Sequence, residues 1–301
     1  MLAFIRLGRP LFLGGGFLMF GLGAGIAALS GHAIDGTRYA LGQAAVTAFQ
    51  LMTHYANDYF DYDADRANTT PTQWSGGSRV LANAELPRAV ALIAALVLAA
   101  IGLGLTLALW QVAGARIAIL LVAIVVLAWE YSAPPLRLCA TGLGELDTAL
   151  IVTALVPALG FLLQAPDGVG LGLLGLAIVP PCLLQFAMLL AIEFPDAAGD
   201  AATGKRTLVV ALGAARAAKL HVALTALAYL WLPIAVALGL PGRIAGLAAL
   251  TAPLALWRML RIRDHREPAA YERLTFFAVA LLVATSLAEV IAIVTLWLSR
   301  A

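Results

Sequence analysis

Apolar residues fall in nine long stretches separated by short polar segments: roughly 11–29, 40–56, 89–110, 112–131, 146–164, 171–192, 220–240, 244–259 and 274–298. Several approach the roughly 20 residues that a helix needs to cross a bilayer. The eighth is short, and almost nothing separates the third from the fourth. The pattern therefore predicts an all-α membrane protein of nine transmembrane helices.

One polar segment breaks the pattern. NDYFDYDAD, Asn57 to Asp65, ends the second stretch and packs four carboxylates into eight residues. On a helix, Asp58, Asp61 and Asp65 stand at i, i+3 and i+7 and share an arc of roughly 60°. Asn57 lies at its edge and Asp63 on another face. The sixth stretch ends in EFPDAAGDAATGKRT, where Glu193, Asp196 and Asp200 repeat that spacing. The two sets are four spans apart, which places them on one side of the membrane. They predict a single domain with a parallel pseudo-repeat, residues 1–138 and 139–265. Pro195 predicts a kink or break in the second set, because it removes a backbone donor and drives Phe194 out of helical geometry.

Composition supports the membrane reading and adds an orientation. Hydrophobic residues make up 62% of the 301, charged residues 12%, and the mean hydropathy is +0.93. Of the 19 lysines and arginines, Arg38, Arg116, Arg243 and Arg300 fall on one side and the rest on the other, with the N-terminus and both acidic sets. By the positive-inside rule that side faces the cytoplasm. The formal net charge of +2 gives no reason to expect nucleic acid as a partner. Cys139 and Cys182 form no C-x-x-C, so neither a disulfide framework nor a thiolate metal site is expected. The first span lacks a cleavage site and is read as a mature helix, its glycine clusters serving close packing.

The remaining polar segments are modest. SGGSR, Ser75 to Arg79, can aim backbone N–H groups at an anion. Pro134 and Pro135 in YSAPPLRL stop a helix, and GLGELD, Gly142 to Asp147, leads into the fifth span. Glu289, mid-span, is either functional or held by a helix–helix hydrogen bond. The basic run from Arg258 to Arg273 reads as a loop meeting anionic headgroups.

Intramembrane carboxylates cost about 2.5 to 3.5 kcal/mol each, so the two sets must line a polar cavity and be neutralised. Carboxylates without a thiolate or histidine cluster favour a hard cation such as Mg²⁺, which completes its shell with water and phosphate oxygens. A metal, nearby cations and a lipid-facing cavity suit a diphosphate head on a long apolar tail, the metal neutralising the leaving group. A secondary transporter using the acids as a cation relay also has repeats and broken helices. A metal-dependent phosphatidyltransferase would carry a D-G-x-x-A-R element, which is absent.

In order along residues 57–208, these blocks resemble the UbiA superfamily of intramembrane prenyltransferases. NDYFDYDAD matches its N-D-x-x-D-x-x-x-D signature, and Asp196 and Asp200 match its second aspartate motif. SGGSRV, YSAPPLRL, GLGEL and GKRTL resemble the branch that prenylates 1,4-dihydroxy-2-naphthoate in the menaquinone pathway. The chain departs from that branch at Glu193, Phe194 and Pro195, where asparagine-rich residues and an arginine are expected, and at Cys139 and Ala140.

The resemblance implies nine helices in a bundle around a central cavity. It also implies two Mg²⁺ ions bridging a polyprenyl diphosphate, and transfer of the prenyl group to an aromatic acceptor. Asn57, Asp58, Asp61 and Asp65 would hold one ion, and Asp196 and Asp200 the other. Asp58, Asp61, Asp196 and Asp200 would be catalytic. Arg66, Arg79, Lys205 and Arg206 would meet the diphosphate, and His54, Tyr131, Ser132 and Glu193 would touch substrate. Alternative acceptors are 4-hydroxybenzoate, homogentisate and a glyceryl lipid.

Overall fold

A computed structural model describes residues 1–300. Each apolar stretch of the sequence coincides with helix. After a short α1 (Leu2–Leu7) come α2 (Pro10–Leu29), α3 (Gly36–Phe60), a short α4 (Tyr62–Ala67), α5 (Arg88–Ala113) and α6 (Ala115–Glu130). The chain continues through α7 (Gly144–Leu150), a π-helical turn (Ile151–Leu155), α8 (Val156–Leu162), α9 (Leu171–Ala202), the short α10 (Leu208–Leu212) and α11 (Ala214–Ala237). It ends with α12 (Gly242–Ala249), α13 (Ala252–Leu260) and α14 (Tyr271–Leu298).

Six helical segments are long and apolar enough to cross a membrane, or seven if α12 and α13, bent by 42°, form one span. The nine predicted crossings are not reached by this measure. The polar residues of α3 dilute its hydropathy, and α6 has only 16 residues. Large apolar side chains such as Ile93, Leu107, Ile119 and Leu230 stay exposed on the outer faces, as lipid contact requires.

Glycines decide how closely the helices approach. A Cβ on Gly23 would stand 1.9 Å from the Pro157 carbonyl oxygen, and one on Gly160 2.3 Å from that of Phe20. The backbones of α2 and α8 therefore touch at two points, as the packing reading of the glycines anticipated, although Gly14 and Gly15 meet nothing. Between α3 and α5 the ring of Phe49 fills the place of the missing Gly102 side chain.

The expected break at Pro195 does not occur: α9 runs unbroken for 32 residues through Pro180, Pro181 and Pro195. At Pro180 a neighbouring helix supplies the donor that the proline removes, and around Pro195 polar side chains bind the helix from outside. The Leu176 carbonyl, deprived of its helical donor by Pro180, accepts the Trp231 indole N–H at 3.0 Å. The Thr70 hydroxyl donates to the Pro195 carbonyl at 2.8 Å, and Asn68 holds Asp196 beside it. The interruption falls in the first acidic set, where Asp61 ends α3 and α4 begins.

The connections gather at two ends. At one, Arg6 pairs with Glu85, the Gln73 N–H donates to Glu272, and the Arg206 N–H donates to the Ala140 carbonyl. At the other, the Asp35 N–H donates to Gln164, Arg116 to the Pro166 carbonyl and Arg300 to the Leu29 carbonyl. Both acidic sets lie at the first end.

Candidate functional site

The bundle encloses a cavity of about 540 Å³. Much of its wall is apolar, with Phe12, Val46, Phe49, Val156, Met188 and Val283 among the lining residues, and the two acidic sets and the segments that follow them supply many of its polar residues.

Asn57, Asp61 and Asp65 line this cavity from the end of α3 and from α4; Glu193, Asp196 and Asp200 line it from α9. The first set therefore presents i, i+4 and i+8, not the i, i+3, i+7 trio. Asp58 does not line the cavity. It is 1% exposed and bonded to the Arg9 guanidinium and the Ser78 hydroxyl. Asn57 and Asp58 both adjoin the same helix face, so only their neighbours distinguish them.

The two sets are joined directly. The Lys205 ammonium donates to Asp61 at 3.0 Å and lies 3.2 Å from Asp200. Asn68, which follows α4, donates to Asp196 at 2.6 Å, and Gly199 lets α4 close on α9: its missing Cβ would sit 3.0 Å from the Asn68 nitrogen. Burial opposes the charge on Lys205, but Asp61 and Asp200 outweigh it and raise its pKa. Burial pushes the Asp65 carboxyl well above the usual carboxylate range, with Arg9 opposing the shift.

The SGGSR loop does aim its N–H groups at anions, and those anions are the protein's own carboxylates. Gly76 and Gly77 take left-handed conformations, φ 73° and 71°, as glycine does readily. The Gly76 N–H donates to Asp196 at 3.1 Å and the Ser78 N–H to Asp58 at 3.3 Å. The Asp65 carboxylate occupies the space where Gly77 would carry a side chain.

The remaining candidates divide. His54 and Tyr131 line the cavity, His54 bonding through Nδ1 to the Gly8 carbonyl at 2.8 Å. Ser132 is buried behind the wall and accepts from Asn57 at 3.1 Å. Arg79 stays outside the cavity and donates to the Asp65 carbonyl. Arg66 is exposed and stacks on Tyr62; Arg206 is exposed too, and its backbone N–H reaches Ala140. Of the four expected diphosphate contacts, only Lys205 reaches the cavity.

Sequence reasoning missed several lining residues. Arg9 lines the cavity, donates to Asn57 at 3.0 Å and pairs with Asp58, and nothing but its charge before the first span marks it. Asn68, Cys139, Asp147 and Gln185 also line the cavity. Buried Glu145, from GLGELD, and Glu193 accept the N–H groups of Leu208 and Val209 at 2.9 and 3.3 Å. They cap α10 and fix the segment that carries Lys205.

Oxygen ligands on two facing walls, bridged by an ammonium, form a donor set suited to a hard divalent cation. Among the described residues no three acidic, histidine or cysteine side chains converge closely enough to hold an ion as they stand. Lys205 and Asn68 hold those oxygens instead.

The UbiA prenyltransferase family matches residues 17–296. The chain belongs to that family. Its members are prenyltransferases, which sets the transporter reading aside, and the chain is an integral membrane protein. No curated protein matches the sequence significantly. Among solved structures, an apo UbiA homologue from Aeropyrum pernix K1 is 20% identical, with a TM-score of 0.68 over 91% of this chain and 97% of that one. A digeranylgeranylglyceryl phosphate synthase is 18% identical, with a TM-score of 0.66 over 97% and 98%. A UbiA homologue from Archaeoglobus fulgidus, bound to GPP and Mg²⁺, is 15% identical, with a TM-score of 0.65 over 95% and 99%. All three share the fold of this UbiA-family chain.

Proposed function

We propose that this UbiA-family protein transfers a polyprenyl group from an allylic prenyl diphosphate to an acceptor, releasing diphosphate, in a Mg²⁺-dependent reaction. The observation that carries the reading is the pair of acidic sets on facing walls of a largely apolar cavity, with Lys205 between them. The Archaeoglobus structure with GPP and Mg²⁺ supports it by analogy of fold.

In this reading Asn57, Asp61 and Asp65 on one wall, and Asp196 and Asp200 on the other, would hold two Mg²⁺ ions. When bound, Mg²⁺ supplies Lewis-acid neutralisation of the charge that develops on the leaving diphosphate. Lys205, released from Asp61 and Asp200, meets the phosphate oxygens as a point charge. Arg9, not Arg66 or Arg206, is the second cation placed for that work. Asp58 holds Arg9 and Ser78 in position. The apolar walls take the prenyl chain and exclude water from the carbocation formed as diphosphate leaves.

For the acceptor we favour an aromatic compound such as 1,4-dihydroxy-2-naphthoate, on the strength of the YSAPPLRL, GLGEL and GKRTL blocks. The fold shared with a digeranylgeranylglyceryl phosphate synthase keeps a glyceryl lipid as the competing acceptor. The reading takes nine crossings, adding α3 and α6 to the apolar spans, with the site at the cytoplasmic end. It also takes α3 and α9 as equivalent members of the pseudo-repeat.

The test is product mass analysis with membranes containing the protein, several prenyl diphosphates and a mixed panel of naphthoate, hydroxybenzoate, homogentisate and glyceryl-lipid acceptors. A prenylated product formed only with Mg²⁺ is expected. Intact protein that yields none across the panel would sink the reading.

A further inference from the structure

One carboxyl group in the cavity is left over by this chemistry. Asp147 sits in the first turn of α7, is 5% exposed and lines the cavity, yet neither of its carboxyl oxygens has a hydrogen-bond partner. Among the other acids of the cavity, Asp61 and Asp200 are engaged by Lys205, Asp196 by Asn68 and Gly76, and Glu193 by Val209, while Asp65, half-buried against Gly77, belongs to the proposed metal set. Glu289 is also buried with an unpartnered oxygen, but it does not line the cavity.

The position of Asp147 separates it from the diphosphate end. Gly144, one turn earlier, packs against Cys139 and Tyr131 near that end. Three residues of helix then carry Asp147 about 4.5 Å further in. Ile124, Ile151 and Val152 line the cavity with it, while Gln185 adds an amide from α9. The setting is apolar, with a single strong acceptor enclosed in it.

We propose that Asp147 recognises the prenyl acceptor by accepting a hydrogen bond from one of its hydroxyl groups. This rests on the prenyltransferase reading above. A carboxyl group keeps an acceptor lone pair in either protonation state, so its complement is a donor. An unpaired acid enclosed by apolar neighbours is unfavourable until such a donor arrives. The prenyl chain, which has no donor, cannot satisfy it. The acceptor substrate can, and an aromatic hydroxyl and a glyceryl hydroxyl share the required chemistry.

The experiment measures binding to purified protein loaded with Mg²⁺ and geranyl diphosphate. One arm compares 1,4-naphthalenediol with 1,4-dimethoxynaphthalene; the other compares a 1-O-alkylglycerol with its dimethyl ether. The wild-type protein is expected to prefer the hydroxyl form in one arm by about 10- to 100-fold, the range for a hydrogen bond to a charged group. The responding arm identifies the source of the hydroxyl. Asp147→Leu abolishes the preference, and Asp147→Asn, which retains an acceptor oxygen, keeps part of it. Geranyl diphosphate binding by each variant, measured in parallel, reports an intact fold. No preference in either arm for the wild type, or one that survives Asp147→Leu, overturns the inference. Failure of the wild type to bind geranyl diphosphate with Mg²⁺ overturns the prenyltransferase reading instead.

Discussion

At the scale of single residues, the protein separates two neighbours that look interchangeable. Asn57 and Asp58 adjoin one helix face, but Asn57 enters the cavity while Asp58 turns to Arg9 and Ser78. Substituting an acid that lines the cavity, such as Asp61, and substituting Asp58 should therefore fail differently. Asp61→Ala removes a proposed metal ligand and should lower Mg²⁺-dependent product formation at least 100-fold while the protein still inserts and folds. Asp58→Ala strips Arg9 of its partner and should destabilise the protein by about 3 kcal/mol, the cost of breaking a largely buried ion pair. Thermal unfolding in detergent beside turnover separates the two; equal melting temperatures for both variants would contradict the division. The acids were legible in the sequence because charge inside an apolar chain is conspicuous. Arg9 and Asp147 were not, since an isolated charge next to a span has many ordinary explanations.

Between helices, closeness is the deciding quantity. Gly23 and Gly160 bring α2 against α8 with backbone touching backbone. Gly23→Ala should thus lower stability by about 1 to 3 kcal/mol through overpacking, whereas Gly14→Ala, where a methyl meets open space, should be neutral or better. Melting temperatures of the two variants in one detergent test this. Proline is tolerated at this scale. Pro195 was expected to kink or break α9, yet the helix runs on through it, with Thr70 and Asn68 bound around the proline, and the interruption lies at Asp61 instead. Pro195→Ala should accordingly retain activity within about threefold and raise stability, since helix interiors disfavour proline by about 3 kcal/mol relative to alanine. A loss of activity beyond tenfold would show that the proline shapes the site.

For the whole molecule, the loops of the N-terminal segment, α4, α6, α9 and α13 assemble at the end that carries most of the basic residues. Single cysteines in a chain lacking Cys139 and Cys182 test the orientation. One at Glu85 should be protected from an impermeant thiol reagent in intact cells, and one at Asp167 should react; the reverse pattern would invert the assignment. The chain by itself determined the helical class, the membrane setting and the two acidic sets, because each is written in local periodicity and in the cost of charge in lipid. Which acid faces the cavity, which cation reaches it, and that α9 survives its prolines were decided only by tertiary structure. Those outcomes depend on residues far apart in the chain, from Arg9 with Asp58 to Lys205 with Asp61 and Asn68 with Asp196. No local pattern records such a pairing until the helices have packed.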